Sequence, residues 1–225
     1  MTFNLDPPPG FRGLDPHVPV RIYTRNLPHW RQDGATYFVT FNLDDALPGA
    51  KKNELKAMRR EWELRYPPPR DEAVWTAYAK TVFQRVEKWM DAGYGRCWFR
   101  QRQYAAELQR AILHFHDQRY EIGCCTIMAN HCHLIIRPFE SYELEEEVGS
   151  MKSVTARFVK KAESIDGDLW QQESCERIIR DEEHLYRTVQ YIGANPRRAG
   201  LPPESWCRWI NPVWQSIGWD FCDDL

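Results

Sequence analysis

Two apolar runs, Ile127-Met128-Ala129 and Leu134-Ile135-Ile136, flank the polar stretch Asn130-His131-Cys132-His133. No other part of the chain constrains the fold as strongly. The apolar run from Leu134 onward reads as a strand that begins at His131, and side chains alternate across a strand with period two. His131 and His133 therefore project from one face, and Cys132 turns into the packed layer on the other. Two imidazoles on one face can hold a divalent metal.

A second ordered run, Tyr191-Ile192-Gly193-Ala194-Asn195-Pro196, falls in or at the end of a charged helical segment. A helical repeat of 3.6 residues places Tyr191 and Asn195 on the same face, one turn apart. The histidine pair, the phenol and the carboxamide form a candidate active site. Two readings of Asn195 stand side by side: a third metal ligand, or a cap that ends the helix, because Pro196 disfavours helix at the residue before it.

The rest of the chain reads as one mixed unit. Residues 36–43 are rich in β-branched and aromatic side chains and form the first strand, which Asp44-Asp45-Ala46-Leu47-Pro48-Gly49 ends. A charged helix over 50–64 is broken by Pro67-Pro68-Pro69 before a second over 72–90. In that second helix Val74, Trp75, Tyr78, Val82, Val86 and Trp89 recur at helical spacing. Together, residues 50–92 form a helical insertion that serves as scaffold or grips DNA. A helix over 103–118, with Leu108, Ile112 and Phe115 inward, leads to strands over 120–128 and 131–138. A helix over 143–162 follows, with Val148, Met151, Val154, Thr155, Phe158 and Val159 inward, then a strand within 171–180 and a helix over 182–194. This order predicts an α+β fold, a ferredoxin-like antiparallel sheet covered by helices, with the helical insertion after the first strand. Residues 1–30 lack periodicity and read as an irregular arm. The tail, 196–225, is rich in Trp and Pro and covers the active face, its aromatics packing or stacking on bases. At 225 residues the chain suits a single catalytic domain, 1–225.

A net charge of −2 argues against an extended basic coat for long duplex DNA, so nucleic-acid contacts should be local. Candidate clusters are Arg96 with Arg100 and Arg102, Lys152 with Arg157, Lys160 and Lys161, Arg177 with Arg180, and Arg197 with Arg198; each alone also reads as an ordinary solvated face. The seven cysteines are odd in number and irregularly spaced, without a Cys-x-x-Cys pair. They suit structural thiols in a reducing cytoplasm better than a zinc ribbon, with one of Cys124 and Cys125 facing the core. No secretory leader or membrane-spanning run is expected.

The chain resembles the REP-associated tyrosine transposases, relatives of the insertion-sequence transposases of the one-tyrosine HUH endonuclease class. The resemblance runs through Asn26-Leu27-Pro28-His29-Trp30, Ala35-Thr36-Tyr37-Phe38-Val39-Thr40-Phe41, Met128-Ala129-Asn130-His131-Cys132-His133-Leu134 and Lys152-Ser153-Val154-Thr155-Ala156. It continues through Trp170-Gln171-Gln172-Glu173-Ser174, Arg177-Ile178-Ile179-Arg180 and Tyr191-Ile192-Gly193-Ala194-Asn195-Pro196. It implies that Tyr191 is a nucleophile attacking a phosphate of single-stranded DNA to give a 5′-phosphotyrosyl linkage and a free 3′-hydroxyl. It also implies that imperfect hairpins of repetitive extragenic palindromes are the partner, each with a short single-stranded guide. Neutral imidazoles and a carboxamide leave much of an ion's charge uncompensated, which suits a Lewis acid at a phosphate. His131, His133 and Asn195 are thus the expected ligands of Mg2+ or Mn2+, while Arg100, Lys152, Arg157, Arg177, Arg180 and Arg197 are the expected DNA contacts. Tyr186, in the same helix, is the weaker rival nucleophile. The sequence leaves monomer and homodimer open.

The chain departs from the family pattern at Ala129, where proline is usual, at Cys132, where a larger aliphatic is usual, and at Cys175-Glu176, where an aromatic and Asp are common. None of these removes an expected ligand. Competing readings are a noncatalytic hairpin-binding protein that keeps the site, an RNA-binding ferredoxin-like module, and a zinc hydrolase. The histidine spacing speaks against the last, since it lacks the helical His-Glu-x-x-His pattern.

Overall fold

The computed structural model describes residues 4–24 and 28–222. Asn26 and Leu27 of the first landmark lie outside them. The arm is not irregular throughout: β1 (Arg21–Thr24) and β2 (Pro28–Arg31) pair antiparallel. Its end is pinned by buried charge. His29 Nδ1 lies 2.6 Å from Glu176 Oε2, and Arg31 bridges Glu176 at 3.3 Å and Glu145 at 2.6 Å.

A five-stranded antiparallel sheet organises the molecule, in the order β6-β3-β5-β4-β7. Its strands are β3 (Tyr37–Asn42), β4 (Tyr120–Ile127), β5 (His131–Pro138), β6 (Cys175–Ile178) and β7 (Cys207–Ile210). Between β3 and β4 run α1 (Gly49–Arg65), α2 (Glu72–Asp91) and α3 (Arg102–Leu113). Then come α4 (Leu144–Glu163) before β6, α5 (Glu182–Arg198) after it, and α6 (Pro212–Ser216) after β7.

Period-two alternation sorts the sheet into two faces. Tyr37, Val39, Phe41, Cys132, Leu134 and Ile136 join the larger core with Leu108 and Ile112 of α3 and Val148, Met151 and Val159 of α4. On the opposite face, Phe38 and Ile135 pack with Leu185, Val189 and Ile192 of α5 and with Trp214 and Trp219 of the tail. The histidines lie on this second face. A register shift between Ile122 and Cys124 keeps both ends of β4 in phase with the core, and so Cys124 and Cys125 are both buried, one in each core. Gly123 sits in the bulge because the Trp214 ring occupies the space a Cβ would need.

The helix termini follow local chemistry. Asp71 and Asp181 cap α2 and α5, accepting from the amides of Val74 and His184. Glu145, Glu146 and Glu147 open α4, and Lys160 and Lys161 close it, complementing its dipole. One expected inward residue differs: Phe158 is exposed, edge-on to Tyr104. Phe115 lies beyond the end of α3 and still packs against the larger core. α1 buries no residue; Trp62 holds it to α2 by stacking on Tyr78 with ring centroids 4.3 Å apart. At its other end α2 turns inward, burying Val82, Glu87, Trp89 and Met90.

Candidate active site

His131 and His133 point from β5 toward one spot, their Nε2 atoms 3.1 Å apart, and both are buried. The backbone around them sets their protonation. The Asn130 Nδ2 donates to the carbonyls of Tyr94 (3.0 Å) and Met90 (3.3 Å), which can only accept. Its Oδ1, 2.8 Å from His131 Nδ1, therefore accepts from an Nδ1–H. Thr40 Oγ1 lies 2.8 Å from Nδ1 of His133 and serves the same tautomer there. Both Nε2 lone pairs then face each other. Burial lowers each imidazole to about 3, with His133 adding to the effect on His131, so both are neutral near pH 7.

Asn195 comes from α5, its carboxamide 2.7 Å from His133 Nε2. Two bare imidazole nitrogens and an amide suit a divalent cation, and the hydrogen bonds that Asn130 and Thr40 make to the far side of each ring are of the kind that orient metal-binding histidines. Among the described residues, no group of three or more His, Cys, Asp and Glu side chains is arranged to hold a metal ion. A third protein donor would thus be the carboxamide.

The capping alternative for Asn195 is overturned, because α5 runs through Asn195 and Pro196 to Arg198. A proline inside a helix removes the hydrogen bond to the carbonyl four residues back and crowds it. That carbonyl belongs to Ile192, and Thr126 Oγ1 of β4 donates to it at 3.0 Å. Arg208 of β7 reaches the next carbonyl, Gly193, at 3.3 Å, and the Phe221 ring lies where a Cβ on Gly193 would stand. The sheet and the tail thus hold the helix intact at the turn that carries Tyr191 and Asn195.

Tyr191 is half-buried on the same cluster. Its ring lies 5.7 Å from that of His133 and edge-on to Phe38, and its hydroxyl donates to Oε2 of Glu87, from α2. Glu87 Oε2 is also 3.5 Å from His133 Nε2. Burial raises the Glu87 carboxyl above its ordinary range, against the pull of His131, the Tyr191 hydrogen bond, Arg177 and Arg198. Burial and then Glu87 push the Tyr191 phenol far above its ordinary value. Asp91, one turn along α2, rises to about 6 through burial and Glu87.

The expected DNA contacts are scattered. Arg177 sits beside the cluster, 4.0 Å over the Phe83 ring. Arg100, Arg180 and Arg197 are exposed, and Arg157 lines a shallow hollow on α4 with Ser153, Ala156 and Lys160. Lys152 uses its ammonium on the carbonyls of Gln171 (2.7 Å) and Gln172 (3.2 Å), bracing the loop before β6. Arg198, two turns after Tyr191, lies 5.5 Å over its ring. Tyr186 faces away, toward Cys222 and Trp219.

Sequence reasoning missed Glu87 and Asp91. The available signal was an acidic pair at i, i+4 beside the apolar residues Phe83 and Met90.

A buried histidine pair on a central strand is thus faced by a helix bearing tyrosine and asparagine one turn apart. Residues 94–195 match the family model described as transposase IS200 like. The match starts after α2, so Glu87 and Asp91 lie outside it. No curated protein matches the chain. Among solved structures, the chain is similar to a REP-associated tyrosine transposase bound to a REP hairpin, at 18% identity and a TM-score of 0.41, over 85% of this chain and 92% of that one. It is also similar to a candidate transposase from Deinococcus radiodurans R1, at 14% identity and a TM-score of 0.29, over 71% of this chain and 89% of that one.

Proposed function

We propose that the protein is a metal-dependent tyrosine transesterase of the REP-associated kind, cleaving and transferring single-stranded DNA at palindrome hairpins in the cytoplasm. The observation that carries this is the meeting of His131 and His133 with Tyr191 and Asn195, from segments far apart in sequence, in one buried cluster. The strand order β6-β3-β5-β4 fits the ferredoxin-like reading, with β7 as an added edge.

In this reading Tyr191 attacks the phosphorus, and its phenolic oxygen replaces the 3′-oxygen as the ester partner. Bond energy is kept in the 5′-phosphotyrosyl linkage for rejoining or transfer. His131, His133 and Asn195 would hold Mg2+ or Mn2+, which would supply Lewis-acid polarisation of a nonbridging phosphate oxygen. Phe38 covers one side of the Tyr191 ring. Arg177 lies beside the cluster, where it meets a phosphate entering it, and Arg100, Arg157, Arg180 and Arg197 steer the flanking strand. Lys152 serves first as a brace.

One observation favours a second reading. The Tyr191 hydroxyl is engaged by Glu87, as suits a protein that binds hairpins without cutting them. Labelled single-stranded hairpins from palindromes flanking the gene, incubated with Mg2+ or Mn2+ and then with chelator, separate the two. A metal-dependent covalent adduct with the unaltered protein and none with Tyr191→Phe is expected. Tight binding with no adduct would establish the binding protein instead.

A further inference from the structure

We propose that Glu87, carried by the helical insertion, is a catalytic residue that accepts the proton of the Tyr191 hydroxyl during attack. The proposal rests on Tyr191 being the nucleophile. Glu87 lies outside the part of the chain that matches the family model, on a helix the sequence alone presents as scaffold or as a grip on DNA.

The geometry is that of a base on its nucleophile. The hydroxyl of Tyr191 donates directly to Oε2 of Glu87. The other oxygen, Oε1, is buried with no hydrogen-bond partner, so the carboxylate is not consumed by a structural network. The Glu87 side chain is 8% exposed, and its Oε2 also lies 3.5 Å from His133 Nε2.

Placing a carboxylate so deep is costly unless it is used, since a buried acceptor without a partner loses its hydration. As the phenolic oxygen bonds to phosphorus, its O–H bond breaks and the proton passes to Glu87. The bond from phosphorus to the 3′-oxygen breaks with its electron pair, and the departing oxygen is protonated by solvent water. When the linkage is reversed, Glu87 returns the proton to the phenol.

The test uses the full chain with labelled hairpin DNA and Mn2+, comparing the unaltered protein, the isosteric Glu87→Gln, and Glu87→Ala with and without formate. A positioned general base contributes about 10²–10⁴-fold, so adduct formation by Glu87→Gln should slow by that order. DNA affinity and Mn2+ affinity measured by titration calorimetry should hold, and the melting temperature should not fall. Formate should restore the rate of Glu87→Ala in proportion to its concentration, as no merely structural role would allow. An unslowed Glu87→Gln overturns the proposal while leaving the transesterase intact. So does slowing without formate rescue, which makes Glu87 a structural brace, or a parallel fall in Mn2+ affinity, which makes it a ligand. An unaltered protein that forms no adduct overturns both readings.

Discussion

At the scale of single residues, the site is governed by what the backbone leaves the side chains to do. Asn130 donates to two carbonyls at the end of the insertion, so its oxygen must receive the Nδ1–H of His131. Removing such an outer contact typically costs 10–100-fold in metal affinity. Asn130→Ala should accordingly weaken Mn2+ binding by about that factor in a calorimetric titration while leaving His131 in place. Asp91 offers a test in pH. Its carboxyl rises from an ordinary 3.8 to about 6 through burial and the nearby Glu87, so the fold prefers the protonated acid. Its contribution to stability is present below pH 3.8 and is lost as pH rises through about 6. Asp91→Asn should therefore raise the melting temperature at pH 7.5, and the gain should vanish toward pH 4. An equal gain at both pH values would count against this account.

At the scale of elements, α5 is a helix that its own sequence should interrupt. Pro196 strips the bond from the Ile192 carbonyl, and Thr126 of β4 replaces it. A buried carbonyl left unpaired costs about 1–3 kcal/mol. Thr126→Val keeps the shape and removes the donor, so chemical denaturation should show a loss of that order, with Thr126→Ser close to the unaltered protein. The same helix explains why the tail is structural. Phe221 rests on Gly193, and Trp214 and Trp219 are buried beneath the helix rather than offered to bases. The insertion has two different ends. Near the Pro67-Pro68-Pro69 break, aromatics stack between α1 and α2, and at the other end Glu87 enters the site.

At the scale of the molecule, a net charge of −2 argues against an extended basic coat, and in the proposed function DNA would be held by separate arginines. Each phosphate contact on a single strand contributes a slope of about 0.7 to the fall of log affinity with log salt. Arg157→Ala should reduce the measured slope by about that amount with little change in sequence preference. A slope that does not move would remove the α4 face from the DNA path. Among the described residues no helix is long and apolar enough to cross a membrane.

Alternation and helical period are local rules, and they make much of this protein legible in its sequence alone. The strand bearing His131 and His133, the turn linking Tyr191 to Asn195, the split order of strands and helices and the helical insertion all follow from spacing along the chain. Local rules fail where a distant partner overrides them. Pro196 should end α5, and a hydroxyl from β4 lets the helix continue. The Trp-rich tail carries no periodic signal, yet it adds β7 by pairing with β4. Glu87 looks like one more charge on a long helix. Only the packing of α2 against α5 puts it beside Tyr191, because which buried groups meet is decided by how the layers stack and not by any spacing within one element.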